Sequence, residues 1–174
     1  MVVSGGAAQT GHGYSCGILT LSDKGSRGER EDTSGPLLRE MVTEAGYQVR
    51  AYQILPDQEA LIRQTLIQWV DRQGLDLILT TGGTGVSPSD RTPEATRRVI
   101  ELEVPGIAEA MRAASLAKTI QGVWSRAIAG IRGQSLIINL PGSRKAAGEN
   151  LAAVLPALEH GLDKLKGSTA DCAP

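Results

Sequence analysis

The chain has no phenylalanine, and its aromatic residues are two tryptophans and three tyrosines. Its core must therefore be aliphatic, and it offers no platform on which successive nucleic-acid bases could stack. Bulk charge is missing as well. Eighteen Lys and Arg against nineteen Asp and Glu leave a net charge of −1, which excludes the broad basic footprint of a nucleic-acid binder. Cys16 lies in an apolar run and Cys172 in a polar tail, so no disulfide framework is expected and a reducing compartment is favoured. His12 and His160 are the only histidines, too few to assemble a zinc spacing. Met1 to Gly13 have neither a basic start nor a sustained apolar stretch, and no segment approaches a bilayer-spanning length. These absences lead to the expectation of a cytoplasmic protein that engages neither nucleic acid nor membrane.

What is present suits one globular domain of the 174 residues, with 41% hydrophobic residues to build a core. Residues 14–167 are expected to form it. A Gly-, Ala- and Ser-containing segment at 1–13 is expected to be disordered, and 168–174 to be a loose tail. Cys16 to Leu21, Leu75 to Thr80 and Ser135 to Leu140 read as buried strands, with Val49 to Leu55 a weaker, more alternating one. Leu61, Ile62, Leu66, Trp69 and Val70 form a helical stripe stopped by Gly74. A second stripe runs from Ala147 to Leu165 and closes at Gly167, with Pro156 predicting a kink or a division. Gly133-Gln134 is placed to turn a hairpin into the strand at 135. Strands alternating with helices predict an α/β fold: a single three-layer α/β/α domain around a mostly parallel sheet. Such sheets bind ligands beyond the carboxyl ends of their strands, so the loops that follow the strands are the places to look.

The loop after the second buried strand begins Thr81-Gly82-Gly83-Thr84-Gly85 and reaches Asp90. Glycines let backbone N–H groups approach a phosphate, and the threonine hydroxyls add donors. No Gly-Lys-Ser/Thr follows, so it is not a Walker A loop. Pro88 stands where a dinucleotide fingerprint needs its third glycine. The same glycines suit a plain strand-to-helix turn. Thr92 is placed to cap the next helix, with Pro93 and Glu94 in its first turn. Asp90 fits either a turn or a Mg²⁺ ion bridging to phosphates. Asp57 is a natural N-cap and also, should the loops gather at one edge, the partner of Asp90 in a two-carboxylate metal site. Ser22-Asp23 and the segment 31–36 bound a charged loop suited to folding over a ligand or to standing in solvent. Ser143 can cap a helix while Arg144 and Lys145 supply positive charge. Arg126 is as well explained by a salt bridge as by substrate contact. Trp69 and Trp124 are assigned to core or interface.

Ile78 to Asp90 is similar to the signature of the molybdenum-cofactor biosynthesis family, and the chain resembles its Mog/MoaB-type molybdopterin adenylyltransferases, a MogA/MoaB-like fold. The resemblance continues, in family order, through Leu19 to Asp23, Asp32 to Pro36, Pro56-Asp57, Thr92 to Thr96, Val104 to Gly106, Ser125-Arg126 and Leu140 to Gly142. It implies a homotrimer that joins the terminal phosphate of molybdopterin to the AMP part of Mg-ATP and releases pyrophosphate. The product would pass to a molybdate-insertion enzyme. It further implies that Asp57 and Asp90 are the catalytic carboxylates and hold Mg²⁺, and that Thr81, Gly82, Gly83, Thr84 and Gly85 bind the ATP phosphates. Ser22, Asp23, Ser125, Arg126, Pro141, Gly142 and Ser143 would line the molybdopterin cleft. The competing reading within the same family is a non-catalytic molybdopterin-binding or scaffold paralogue.

Overall fold

Two periodicities build the protein, and they meet at a sheet whose faces are both covered. The computed structural model describes residues 13–169; most of the expected loose ends, 1–12 and 170–174, lie outside the described residues. The strands are β1 (Ser15–Leu21), β2 (Gln48–Leu55), β3 (Leu77–Thr81), β4 (Leu102–Glu103), β5 (Ala129–Arg132) and β6 (Ser135–Leu140). The helices are α1 (Asp23–Ser26), α2 (Ser34–Glu44), α3 (Glu59–Ile67), α4 (Thr92–Arg97), α5 (Pro105–Leu116) and α6 (Arg144–Leu165). A π-helical turn, Gln68–Arg72, extends α3, and a short 3₁₀ helix spans Ile120–Trp124.

The sheet order is β2-β1-β3-β6-β5-β4. The first four strands are parallel; β5 and β4 are antiparallel additions at one edge. Side chains alternate across a strand, and the two cores follow that alternation. Cys16, Ile18, Leu77, Leu79, Leu136 and Ile138 face α2, α5 and α6. Leu19, Leu21, Ile78 and Ile137 face α3 and α4. Full burial of each such aliphatic side chain contributes about 1.5–3 kcal/mol, so this core needs no phenylalanine.

The expected strands and the hairpin at Gly133-Gln134 are present. Leu102–Glu103 escaped the sequence reading because two residues carry no period. Pro156 does not divide α6, which runs through it. Pro156 and Ala152 both sit on the exposed face, where water can satisfy the carbonyl the proline leaves unpaired. Trp69 is buried in the α3 core, whereas Trp124 is 59% exposed.

Asn139 fixes one further relationship. Its side-chain amide, fully buried, donates to Thr80 Oγ1 at 3.0 Å and Thr96 Oγ1 at 2.9 Å. Buried amides are costly unless paired, so this network sets how α4 sits on β3 and β6. The loop between β3 and α4 is thus held at both ends.

Candidate active site at the carboxyl edge of the sheet

β1, β2, β3 and β6 run the same way, so the loops following them converge at one edge. There they enclose a cleft of about 500 Å³. Its walls include Ser22 after β1, Asp57 after β2, Gly82, Gly83 and Asp90 after β3, and Gly142 and Ser143 after β6. The expected sites from four separate stretches of chain therefore meet in space.

The glycine loop is fastened before it reaches the cleft. Thr81 is fully buried, and its hydroxyl donates to the Pro141 carbonyl at 2.7 Å, while Gly82 N–H donates to the Leu140 carbonyl at 3.1 Å. Gly82 and Gly83 take φ of +106° and +63°, the left-handed region that other residues avoid. A Cβ on Gly82 would lie 2.3 Å from the Leu21 carbonyl oxygen, and one on Gly83 would lie 2.3 Å from Thr92 Oγ1. Both positions require glycine on two independent grounds.

Farther along, Arg126 braces the loop. Its guanidinium donates to the Gly85 carbonyl at 2.6 Å and the Asp90 carbonyl at 2.7 Å and pairs with the Glu94 carboxylate. Its own N–H donates to the Thr84 carbonyl at 2.9 Å. Arg126, Ser125, Thr84 and Gly85 are not among the residues that line the cleft. Asp23 and Pro141 also stand behind the wall: Asp23 is latched to Asp57, and Pro141 receives Thr81.

Asp57 does not cap α3; that position falls to Gln58, which makes no side-chain cap hydrogen bond. The Asp57 carboxylate instead turns to Asp23. Asp23 N–H donates to Asp57 Oδ2 at 3.2 Å, and Asp57 N–H donates to Asp23 Oδ1 at 2.9 Å. Asp57 Oδ1 is buried and accepts no hydrogen bond. Burial raises the Asp57 carboxyl above the ordinary Asp value, with the negative charges of Asp23 and Asp90 adding to the shift. One Asp90 oxygen accepts from Ser87 N–H at 2.9 Å, closing the turn before α4. Asp90 thus serves the turn and faces the cleft at once.

Asp32 lines the cleft and was not singled out from the sequence as a site residue. It accepts from Thr20 Oγ1 at 2.6 Å, from the Tyr52 hydroxyl, and from the N–H groups of Ser34 and Gly35 at 3.1 and 3.0 Å. Burial pushes its carboxyl up, but these donors outweigh that and hold it below the ordinary value. The signal was an Asp two residues ahead of Ser34 at a helix start. Arg30 and Arg144, both exposed, add positive charge to the cleft wall, and Ser143 caps α6 by accepting from Ala146 N–H at 3.2 Å.

A pinned glycine loop, carboxylates beside it and arginines at the rim line one cleft of this α/β domain, an arrangement whose chemistry suits a phosphate ester. The chain belongs to the family described as "Probable molybdopterin binding domain", which matches residues 17–160. Molybdopterin adenylyltransferase of Helicobacter pylori is 42% identical over 156 residues, covering 87% of this chain and 88% of that protein. The molybdenum cofactor synthesis protein cinnamon of Drosophila melanogaster is 44% identical over 149 residues; this chain spans 25% of its length. The crystal structure of the molybdopterin biosynthesis enzyme MoaB of Thermus thermophilus superposes with a TM-score of 0.83 at 54% identity, covering 89% of this chain and 98% of that one.

Proposed function

We propose that this protein adenylylates molybdopterin with Mg-ATP in molybdenum-cofactor biosynthesis. The observation that carries this reading is that Asp57, Asp90 and the glycines at 82 and 83 line one cleft. The H. pylori and Escherichia coli relatives named molybdopterin adenylyltransferase, 42% and 40% identical, support it.

In this reading a phosphate oxygen of molybdopterin attacks the α-phosphorus of ATP in line. A P–O bond forms to the pterin phosphate, the bond to the β-phosphate bridge breaks, and its electron pair leaves with pyrophosphate. The nucleophile is already ionised, so no general base is required. The work left to the chain is positioning and charge stabilisation. The loop amides from Gly83 onward hold the nucleotide phosphates, Arg30 and Arg144 meet the remaining negative charge, and Ser22 and Ser143 orient the pterin side.

The residues fit a Mg²⁺ ion that arrives with ATP. Asp57 Oδ1 is an unpaired buried oxygen, and Asp90 stands across the loop. A metal that arrives with its nucleotide needs only one or two carboxylates beside the substrate phosphates, and Asp57 and Asp90 supply two. Bound there, Mg²⁺ would neutralise charge on the transferring phosphates. We take the compartment to be the cytoplasm and the product to pass to a molybdate-insertion enzyme. We take the assembly to be a homotrimer, which would cover the exposed Leu116, Ile120, Val123 and Trp124.

The test mixes the protein with molybdopterin and Mg-ATP and follows pyrophosphate and the adenylylated pterin. Both products should appear in equal amounts. Pterin binding without pyrophosphate release would favour the scaffold reading instead.

A further inference from the structure

Thr92 is a buried polar residue whose hydroxyl the fold leaves without a partner. Its sequence position suits an N-cap, yet the cap of α4 falls on Arg91 and no side chain makes the capping bond. Thr92 is instead the first residue of the helix, fully buried, with a hydroxyl that has no hydrogen-bond partner. Buried hydroxyls are nearly always paired, and a valine of the same shape would avoid the penalty altogether.

Asp57 Oδ1 is likewise buried and unpaired, and it borders the same point as the Thr92 hydroxyl. A Cβ on Gly83 would lie 2.3 Å from Thr92 Oγ1 and 3.0 Å from Asp57 Oδ1. They are therefore no farther apart than one bridging water can span. The fold also ties their backbones to the loop: Thr92 N–H donates to the Gly83 carbonyl at 3.2 Å, and Asp57 is latched through Asp23. Helix start, glycine loop and carboxylate are thus tied to one another.

We propose that Thr92 is a positioning residue for Asp57: in the loaded site its hydroxyl donates to Oδ1, directly or through one water. This rests on the adenylylation reading for its kinetic consequence, but not for its geometry. With Oδ2 held by Asp23 N–H and Oδ1 by Thr92, the carboxylate can no longer pivot about its Cβ–Cγ bond. The absence of a side chain at Gly83 is what lets the two oxygens approach. A residue that only filled space would have no use for the hydroxyl.

The experiment compares Thr92→Val and Thr92→Ser in the full chain. Thr92→Val should melt no lower than wild type and keep KM for ATP and molybdopterin, while kcat falls by about 10²-fold through misplacement of the carboxylate. Thr92→Ser should recover most of that loss. A Val variant with wild-type kcat overturns the proposal, as does a Val variant that loses stability in step with activity and is not rescued by Ser. If wild type binds pterin without turnover, the functional reading fails separately. Thr92 is then judged by NMR in the presence of Mg²⁺ and a non-hydrolysable ATP analogue. A slowly exchanging Thr92 hydroxyl proton should be visible and should shift in Asp57→Ala; its absence, or its indifference to that substitution, overturns the pairing.

Discussion

Asp23 and Asp57 hold each other by the backbone, each carboxylate accepting from the other's N–H at 2.9 and 3.2 Å. Two like charges are brought together by two amides, and the loops after β1 and β2 become one wall. Half of Asp57 is spent on this latch and half is left for the cleft. Charge and latch can therefore be removed separately. Asp57→Asn keeps an acceptor for the Asp23 amide and should unfold within a few tenths of a kcal/mol of wild type while losing adenylylation by about 10²-fold or more. Asp23→Ala keeps the charge of Asp57 but removes the acceptor for the Asp57 amide, one of the latch's two bonds, and should cost about 1–3 kcal/mol in urea unfolding. Equal activity in Asp57→Asn and wild type would remove Asp57 from the chemistry.

Arg126 makes a different prediction from the one its resemblance suggested. A residue that touches the pterin should, when replaced, raise KM for molybdopterin. Arg126 touches the Gly85 and Asp90 carbonyls and Glu94 instead, so it holds the glycine loop. Arg126→Met should raise KM for ATP by about ten-fold, with little change for the pterin, and destabilise the chain by about 1–3 kcal/mol. Steady-state kinetics with each substrate varied in turn decides between the two roles.

Much of this was legible because the sequence periods are strong where the sheet is central. β1, β3 and β6 are continuous apolar runs, and the family signature lies on the loops that follow them. That Asp57 and Asp90 line one cleft needed only the expectation that those loops gather at one edge. Three things were not legible. The capping positions were misjudged at both Asp57 and Thr92, because a residue that can cap is freed when the helix starts one position away, at Gln58 or Arg91. Arg126 gave no local sign of its partners, which lie 32 to 41 residues away in sequence. Asp32 hid in a charged stretch, since nothing in sequence links it to Thr20 and Tyr52.

Asp32 should make stability depend on acid. Its folded-state carboxyl sits below the usual value of 3.8, so it contributes stability above that pH. That contribution is lost as pH falls through the lower folded value. Asp32→Asn preserves shape and removes the charge. It should lower the urea midpoint at pH 7, by about 1–2 kcal/mol in unfolding free energy, and the gap should narrow below pH 3.8 as wild-type Asp32 takes up its proton. A gap that stays constant from pH 7 to pH 3 would mean that the hydrogen bonds of Asp32 do not depend on its charge.

The segment from the end of α5 through the 3₁₀ helix presents Leu116, Ile120, Val123 and Trp124 at 43%, 71%, 53% and 59% exposure. A chain with only two tryptophans leaves one largely in solvent, within a run of aliphatic neighbours. Such a patch on a small domain marks a contact surface, and aromatic residues at the centre of one carry a large share of its binding energy. If the protein assembles through this face, Ile120→Lys or Trp124→Glu should place a charge against apolar surface in every copy and shift the assembly to monomers in light scattering. Because neither side chain belongs to the buried core, the isolated chain should keep its far-ultraviolet dichroism. Pterin binding by the monomer then tells whether one chain forms a complete cleft. An unchanged mass for both variants would send the search for the interface elsewhere, with the exposed edge strand β4 and Leu102, 64% exposed, the next surface to charge.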